Sequence, residues 1–283
     1  MDRASAGLWA YSEELGTYGR LANPILHELG ERIPLYPTSI CIVGSYGSGK
    51  TALAHSLLLY YAPRENLYPL YININQILAP KTLRYPLPIH QRLLSELWKK
   101  SLKNQDLVEK LVSVTKCVTE KVRFSEVMTI DERVEEIING AYECLSDSFT
   151  DILPLMDEFE RPYLVCKSSP EQCKRYYNID NDKTYVTYSL FSLLDKIFGR
   201  INYVTFVTPG LYRVVDQQVR ERLGAPINLD EKYADREKLR EFVNNYCSFH
   251  PHACGDMQED ALDLYLRLIR TPRLIVFMLS KGV

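Results

Sequence analysis

Apolar and polar positions alternate between two rhythms along the first 230 residues and settle into one afterwards. TSICIV, ending at Val43, is β-branched and apolar enough for a buried parallel strand, and TALAHSLLLYYA from Thr51 has the apolar content of a helix packed on a sheet. A second strand is predicted in NLYPLYININ, whose apolar residues flank Tyr71 and Asn73. Past the prolines at 80, 86 and 88, the segments IHQRLLSELWKKSL, LVEKLVSVTKCV and ERVEEIINGAYECL carry helical spacing. DILPLMDEFE is a third strand ending in two carboxylates. Pro154 lacks a ladder donor, so that strand is predicted to start at Leu155.

The polar stretch KSSPEQCKRYYNIDNDK reads as a connecting segment before the helix-like VTYSLFSLLDKIF. NYVTFVTPG follows as a β-branched strand closed by Thr208, and VVDQQVRERLGAPINL as a helix stopped by Gly224 and then a short strand. The remainder, DREKLREFVNNY, MQEDALDLYLRLI and TPRLIVFML, is helical throughout, and residues 1–37 form a short helical lead-in. Strands alternating with helices and then helices alone predict two domains, an α/β domain over 1–230 and a helical one over 231–283.

Composition narrows the classes. The chain has 283 residues and is 46% hydrophobic, enough for a real core. A net charge of -2 gives no global basic field, so nucleic-acid contact would need a local patch or another subunit. No apolar run approaches the roughly 20 residues of a membrane span, and the N-terminus lacks a basic-then-apolar leader pattern, so a cytoplasmic protein is expected.

The seven cysteines form no paired C-x-x-C, and most are expected to be buried small apolar residues. Cys166 with Cys173 and Cys247 with Cys254 share one spacing, and intracellular disulfides occur in hyperthermophiles. CSFHPHAC offers Cys247, His250, His252 and Cys254 as zinc ligands, but zinc sites usually separate their ligand pairs by a dozen or more residues. A zinc site and a polar loop with or without a disulfide both stand at this point.

Gly44, Ser45, Tyr46, Gly47, Ser48, Gly49, Lys50 and Thr51 satisfy G-x-x-x-x-G-K-[ST] between the first strand and the first helix. In that pattern glycines let backbone N–H groups surround phosphate oxygens, Lys50 reaches the β- and γ-phosphates, and Thr51 ligates Mg2+. A nucleoside triphosphatase also needs an acidic residue at a strand end to hold Mg2+, which Asp157 supplies. Glu158 then takes the proton of an attacking water. Thr208 is a polar candidate beside the γ-phosphate.

Taken in order, the phosphate loop GSYGSGKT, the acidic strand end LMDEFE, the Thr-ended strand VTFVT, the arginine-bearing helix end VRERLG and the helical TPR segment resemble the AAA+ ATPases. The resemblance is closest to the initiator-like branch that includes archaeal origin-recognition ATPases, and to archaeal STAND-type ATPases. It implies an α/β P-loop NTPase fold with a parallel sheet flanked by helices and a small C-terminal all-helical lid. It also implies ATP and Mg2+ as cofactors, ATP/ADP exchange, self-association with ATP at subunit interfaces, and DNA as a partner. By position, Arg273 would be the lid arginine touching the γ-phosphate, and Arg222, or Arg220 beside it, the one presented to a neighbouring subunit's ATP. Pro209 stands where initiator relatives usually carry an asparagine. The competing reading is a STAND-like signalling or defence switch that binds nucleotide tightly and lacks DNA affinity. A small-molecule kinase would usually lack the adjacent Asp-Glu pair and the helical lid.

Overall fold

The computed structural model describes residues 29, 32–33, 39–60, 68–78, 86–102, 105–122, 127–148, 152–249, 251–254, 259–268 and 271–281. Most of the expected N-terminal lead-in lies outside them. Five strands, β1 (Ser39–Val43), β2 (Tyr68–Asn73), β3 (Ile152–Asp157), β4 (Tyr203–Val207) and β5 (Ala225–Asn228), form one sheet in the order β2-β3-β4-β1-β5. The β2–β3 and β3–β4 pairs are parallel. All residues of β3 and β4 are buried, which is why these strands read as continuous apolar runs rather than alternating ones.

Helices α1 (Lys50–Tyr60), α2 (Ile74–Leu78), α3 (Pro86–Ser101), α4 (Gln105–Lys121) and α5 (Ile130–Ser148) separate the first three strands. Between β3 and β4 come α6 (Glu160–Ser168), α7 (Pro170–Tyr177), a helical turn Asp182–Thr184, a π-helical turn Tyr185–Leu190 and α8 (Phe191–Ile197). Next come α9 (Pro209–Val214) and α10 (Gln217–Leu223), and after β5 α11 (Leu229–Lys232), α12 (Arg236–Phe249), α13 (Pro251–Cys254), α14 (Glu259–Leu268) and α15 (Pro272–Lys281). None of these helices is long and apolar enough to cross a membrane.

The chain gathers into two compact units. The first takes Met1–Pro34, Ile42–Asn66 and Pro226–Val283; the second takes Leu35–Cys41 and Leu67–Ala225. The first is built on Leu53, Leu57, Leu229 and Phe242, and the second on Leu93, Tyr142, Leu155, Leu193 and Phe206, all of them buried. In the second unit His90 is enclosed: Nδ1 lies 2.9 Å from the Tyr142 hydroxyl and Nε2 3.0 Å from the Ser192 carbonyl.

Three local expectations are corrected. Strand β3 begins at Ile152, not Leu155, because its ladder with β4 starts only at Leu155, past Pro154. The polar stretch after β3 is largely helical. Ser169 caps α7 by accepting from Gln172 N, Pro170 opens the helix, Asn178 closes it in the left-handed region, and only Cys173 and Tyr177 are buried. A helix with so narrow an apolar stripe shows its caps in sequence more clearly than its periodicity. The cysteines, finally, are mostly bonded: Cys117–Cys144 joins α4 to α5, Cys166–Cys173 joins α6 to α7, and Cys247–Cys254 joins α12 to α13. That last bond removes the two thiolates a zinc ion would need. His250 lies outside the described residues, and among those described no cluster of His, Cys, Asp and Glu is arranged for a metal.

Candidate functional site

In the first unit the loop after β1 turns on glycines. Gly47 and Gly49 have φ of 86° and 91°, a region that costs glycine nothing and other residues much. Gly44 is required for a different reason: a Cβ there would meet Ser48 Oγ at 2.4 Å and Leu229 Cβ at 3.2 Å. The loop runs into α1, where Leu53 N donates to Gly49 O at 2.8 Å. Lys50 is buried, and its Nζ donates to the carbonyls of Gly44 (2.7 Å) and Ser45 (3.2 Å), so the ammonium lies across its own loop. Tyr46 is exposed, its ring centroid 5.7 Å from that ammonium. Ser48 Oγ is buried without a hydrogen-bond partner.

Two later segments of the same unit close on this loop. The Asp230 carboxylate accepts from Ser45 N at 3.1 and 2.9 Å and from Ser45 Oγ at 2.9 Å. Arg273 N donates to Gly47 O at 3.2 Å, and a Cβ on Gly47 would stand 3.0 Å from Arg273 Cβ. The structure therefore brings Arg273, more than two hundred residues distant, to the glycine-rich loop after β1. Asp230 was not among the expected site residues; an acid just after a short strand has no periodic or motif signal.

The second unit carries the acidic pair. Asp157 closes β3, opposite Asn73 of β2, and is 2% exposed. Its Oδ1 accepts from Glu158 N (2.8 Å) and its Oδ2 from the Tyr71 hydroxyl (3.2 Å). Glu158 itself has φ of 67°, left-handed backbone that costs a residue of this kind about 1–3 kcal/mol and clusters at functional sites. On the following residue, the carbonyl of Phe159 accepts from the buried Tyr185 hydroxyl at 2.7 Å.

Thr208 is buried at the end of β4, and its Oγ1 caps α9 by accepting from Leu211 N at 3.4 Å. Arg222 is held within its own chain. Its Nε donates to Asp195 at 2.5 Å and its Nη1 to Gln218 O at 3.0 Å, while the guanidinium lies 4.5 Å from the Phe191 ring centroid and 5.9 Å from that of Phe198. Arg220 is exposed. Cys41 on β1 is the free thiol among the described cysteines, and burial pushes its pKa up to about 12, so it is no nucleophile.

No protein-family model matches the chain, and no curated protein matches it. Among solved structures it is similar to Cdc6p from Pyrobaculum aerophilum, with 14% identity and a TM-score of 0.37 over 80% of this chain and 48% of that one. It is also similar to the Orc1 protein of Aeropyrum pernix, solved in complex with DNA, with 14% identity and a TM-score of 0.39 over 83% of this chain and 53% of that one. The chain spans about half the length of either.

Proposed function

We propose that the protein is a Mg-dependent ATP-binding and ATP-hydrolysing switch of the AAA+ type that acts in nucleic-acid transactions. The observation that carries this is the loop before α1. Positive φ at Gly47 and Gly49 makes the concave backbone that gathers N–H groups around phosphate. The N-terminus of an eleven-residue helix adds its partial positive charge, and Lys50 adds a full one. Ser48 Oγ is a further buried polar atom left for a phosphate oxygen.

The residues expected to ligate a metal, Thr51 by its hydroxyl and Asp157 by its carboxylate, would offer oxygens only, which suits Mg2+ rather than a softer ion. When bound, Mg2+ offsets negative charge on the phosphates. Glu158 is the base that takes a proton from water. Arg273, whose backbone already bonds the loop, reports nucleotide state to α15. Where a second copy completes the site, Arg220 is the arginine presented outward, since Arg222 is engaged by Asp195 and two phenylalanines.

The test is an ATP titration with and without Mg2+ on wild type and Lys50→Ala, followed by ATPase assays with single- and double-stranded DNA. Lys50→Ala should weaken binding by about 100-fold, because a triphosphate without its ammonium partner keeps uncompensated charge. Unchanged affinity removes the nucleotide reading. DNA should raise turnover; a flat response favours the STAND-like switch.

A further inference from the structure

Outside glycine, left-handed backbone occurs at two of the described residues, Asn178 and Glu158. Asn178 closes α7, a place where asparagine is at home. Glutamate has no short side chain to bond locally, so its conformation must be imposed by its neighbours. The two residues flanking it are both held through tyrosine hydroxyls. On one side Tyr71, from β2, donates to Asp157 Oδ2, while Asp157 Oδ1 takes the Glu158 N–H. On the other side Tyr185 donates to the Phe159 carbonyl, with both residues fully buried.

Tyr185 is also the first residue of the π-helical turn Tyr185–Leu190. Such turns are rare, appear mostly as single turns within α-helical segments and are frequent at functional sites. Here the turn has packed Tyr185 in the core with its one polar atom on the carbonyl next to Glu158. Burial, reinforced by the charge of Glu160, raises the Tyr185 pKa well above its ordinary value, so the hydroxyl stays a donor throughout the working range.

We propose that Tyr185 is a positioning residue for Glu158: by holding the Phe159 carbonyl it keeps the turn left-handed and so aims the Glu158 carboxylate, with Tyr71 bracing the other side through Asp157. The functional half of this inference rests on Glu158 being the base of an ATPase. The conformational half does not.

Two cycles test it, each on the full-length protein. In the first, Tyr185→Phe should leave ATP affinity unchanged and lower kcat about 10-fold in the wild-type background, but lower it no further in the Glu158→Gln background, because a misaimed base costs nothing once the base is gone. An unchanged kcat, or an equal fall in both backgrounds, overturns the positioning role. The second cycle reads melting temperature alone. Glu158→Gly should raise Tm by about 2 °C by relieving the left-handed strain. In a Tyr185→Phe protein the turn can relax unaided, so the same glycine should gain markedly less. Additive melting shifts overturn the brace. If the wild type hydrolyses no ATP, the ATPase reading fails and this second cycle still decides the conformational claim. Should Tyr185→Phe fail to fold, Tyr71→Phe goes through the melting cycle alone, because its hydroxyl bonds Asp157 and its kinetics would report on the metal as well; additive melting shifts there overturn the brace.

Discussion

Both the glycine-rich loop after β1 and the acidic turn after β3 use left-handed backbone, and they obtain it in opposite ways. The loop places glycine at 47 and 49, where φ of 86° and 91° is intrinsically accessible. The turn places glutamate at φ 67° and holds it with side-chain bonds to Asp157 and Phe159 from Tyr71 and Tyr185. The difference follows from what each must present. A loop that binds through backbone N–H groups gains from having no side chains in the way. A turn that must deliver a carboxylate cannot use glycine at that position, and strain at the functional residue is offset by bonds elsewhere. On the proposed reading, binding chemistry is written in the loop's own residues, whereas the aim of the Glu158 carboxylate depends on residues scattered over β2 and the π-helical turn.

The sharpest break between the two regions is Glu158→Gln. If the loop alone binds and the turn alone activates water, this variant should bind ATP as wild type does and hydrolyse it 100-fold or more slowly, the usual range for a lost general base. Binding is read by titration and hydrolysis by phosphate release. Equal loss of both would make Glu158 a structural residue and end the division of labour.

That contrast also explains what the sequence made legible. The loop could be read because its requirements are local: the glycines, Lys50 and Thr51 are contiguous, and the strand and helix on either side follow from apolar content. Asp157 and Glu158 could be read because a buried strand ending in two carboxylates is conspicuous. Tyr185 could not, since its role depends on a π turn that interrupts helical periodicity at that residue. The ring cage of Arg222 depends on Phe191 and Phe198, more than twenty residues earlier, and the Cys117–Cys144 bond on the register of two packed helices. Alpha-helix α7 was hidden for another reason: with only Cys173 and Tyr177 buried, its polar sequence resembles a loop until the caps are weighed.

The second unit should also be sensitive to acid. Burial lowers the pKa of His90 to about 4, with Lys196 acting in the same direction; the Ser192 carbonyl and Glu135 oppose them. The unfolded chain, near 6.5, binds a proton over a range where the folded one does not. Stability is therefore full above about pH 6.5, falls as pH drops towards 4, and the loss from this group reaches about 3 kcal/mol below that. Urea unfolding followed between pH 7 and 4 should show the slope, and His90→Gln should flatten it. An unchanged slope in that variant would assign the acid sensitivity to other groups.

The smallest expected effect tests the loop's side of the comparison. Gly47→Ala asks a residue with a Cβ to adopt φ of 86° and sets that Cβ 3.0 Å from Arg273 Cβ, which lies close to the α15 backbone and cannot swing aside as the end of a long side chain would. The backbone term alone should lower stability by about 1–2 kcal/mol. Contact with Arg273 adds a functional consequence, because Arg273 N bonds the Gly47 carbonyl and any retreat of α15 weakens that link. Gly199 supplies the control: its φ is also positive, 72°, but nothing lies within 4 Å of a Cβ built there. Gly199→Ala should therefore lose comparable stability with ATP affinity intact, whereas Gly47→Ala should lose both. If the two variants match in affinity as well as in melting temperature, the loop tolerates a side chain, and the glycine there serves the turn without serving the ligand.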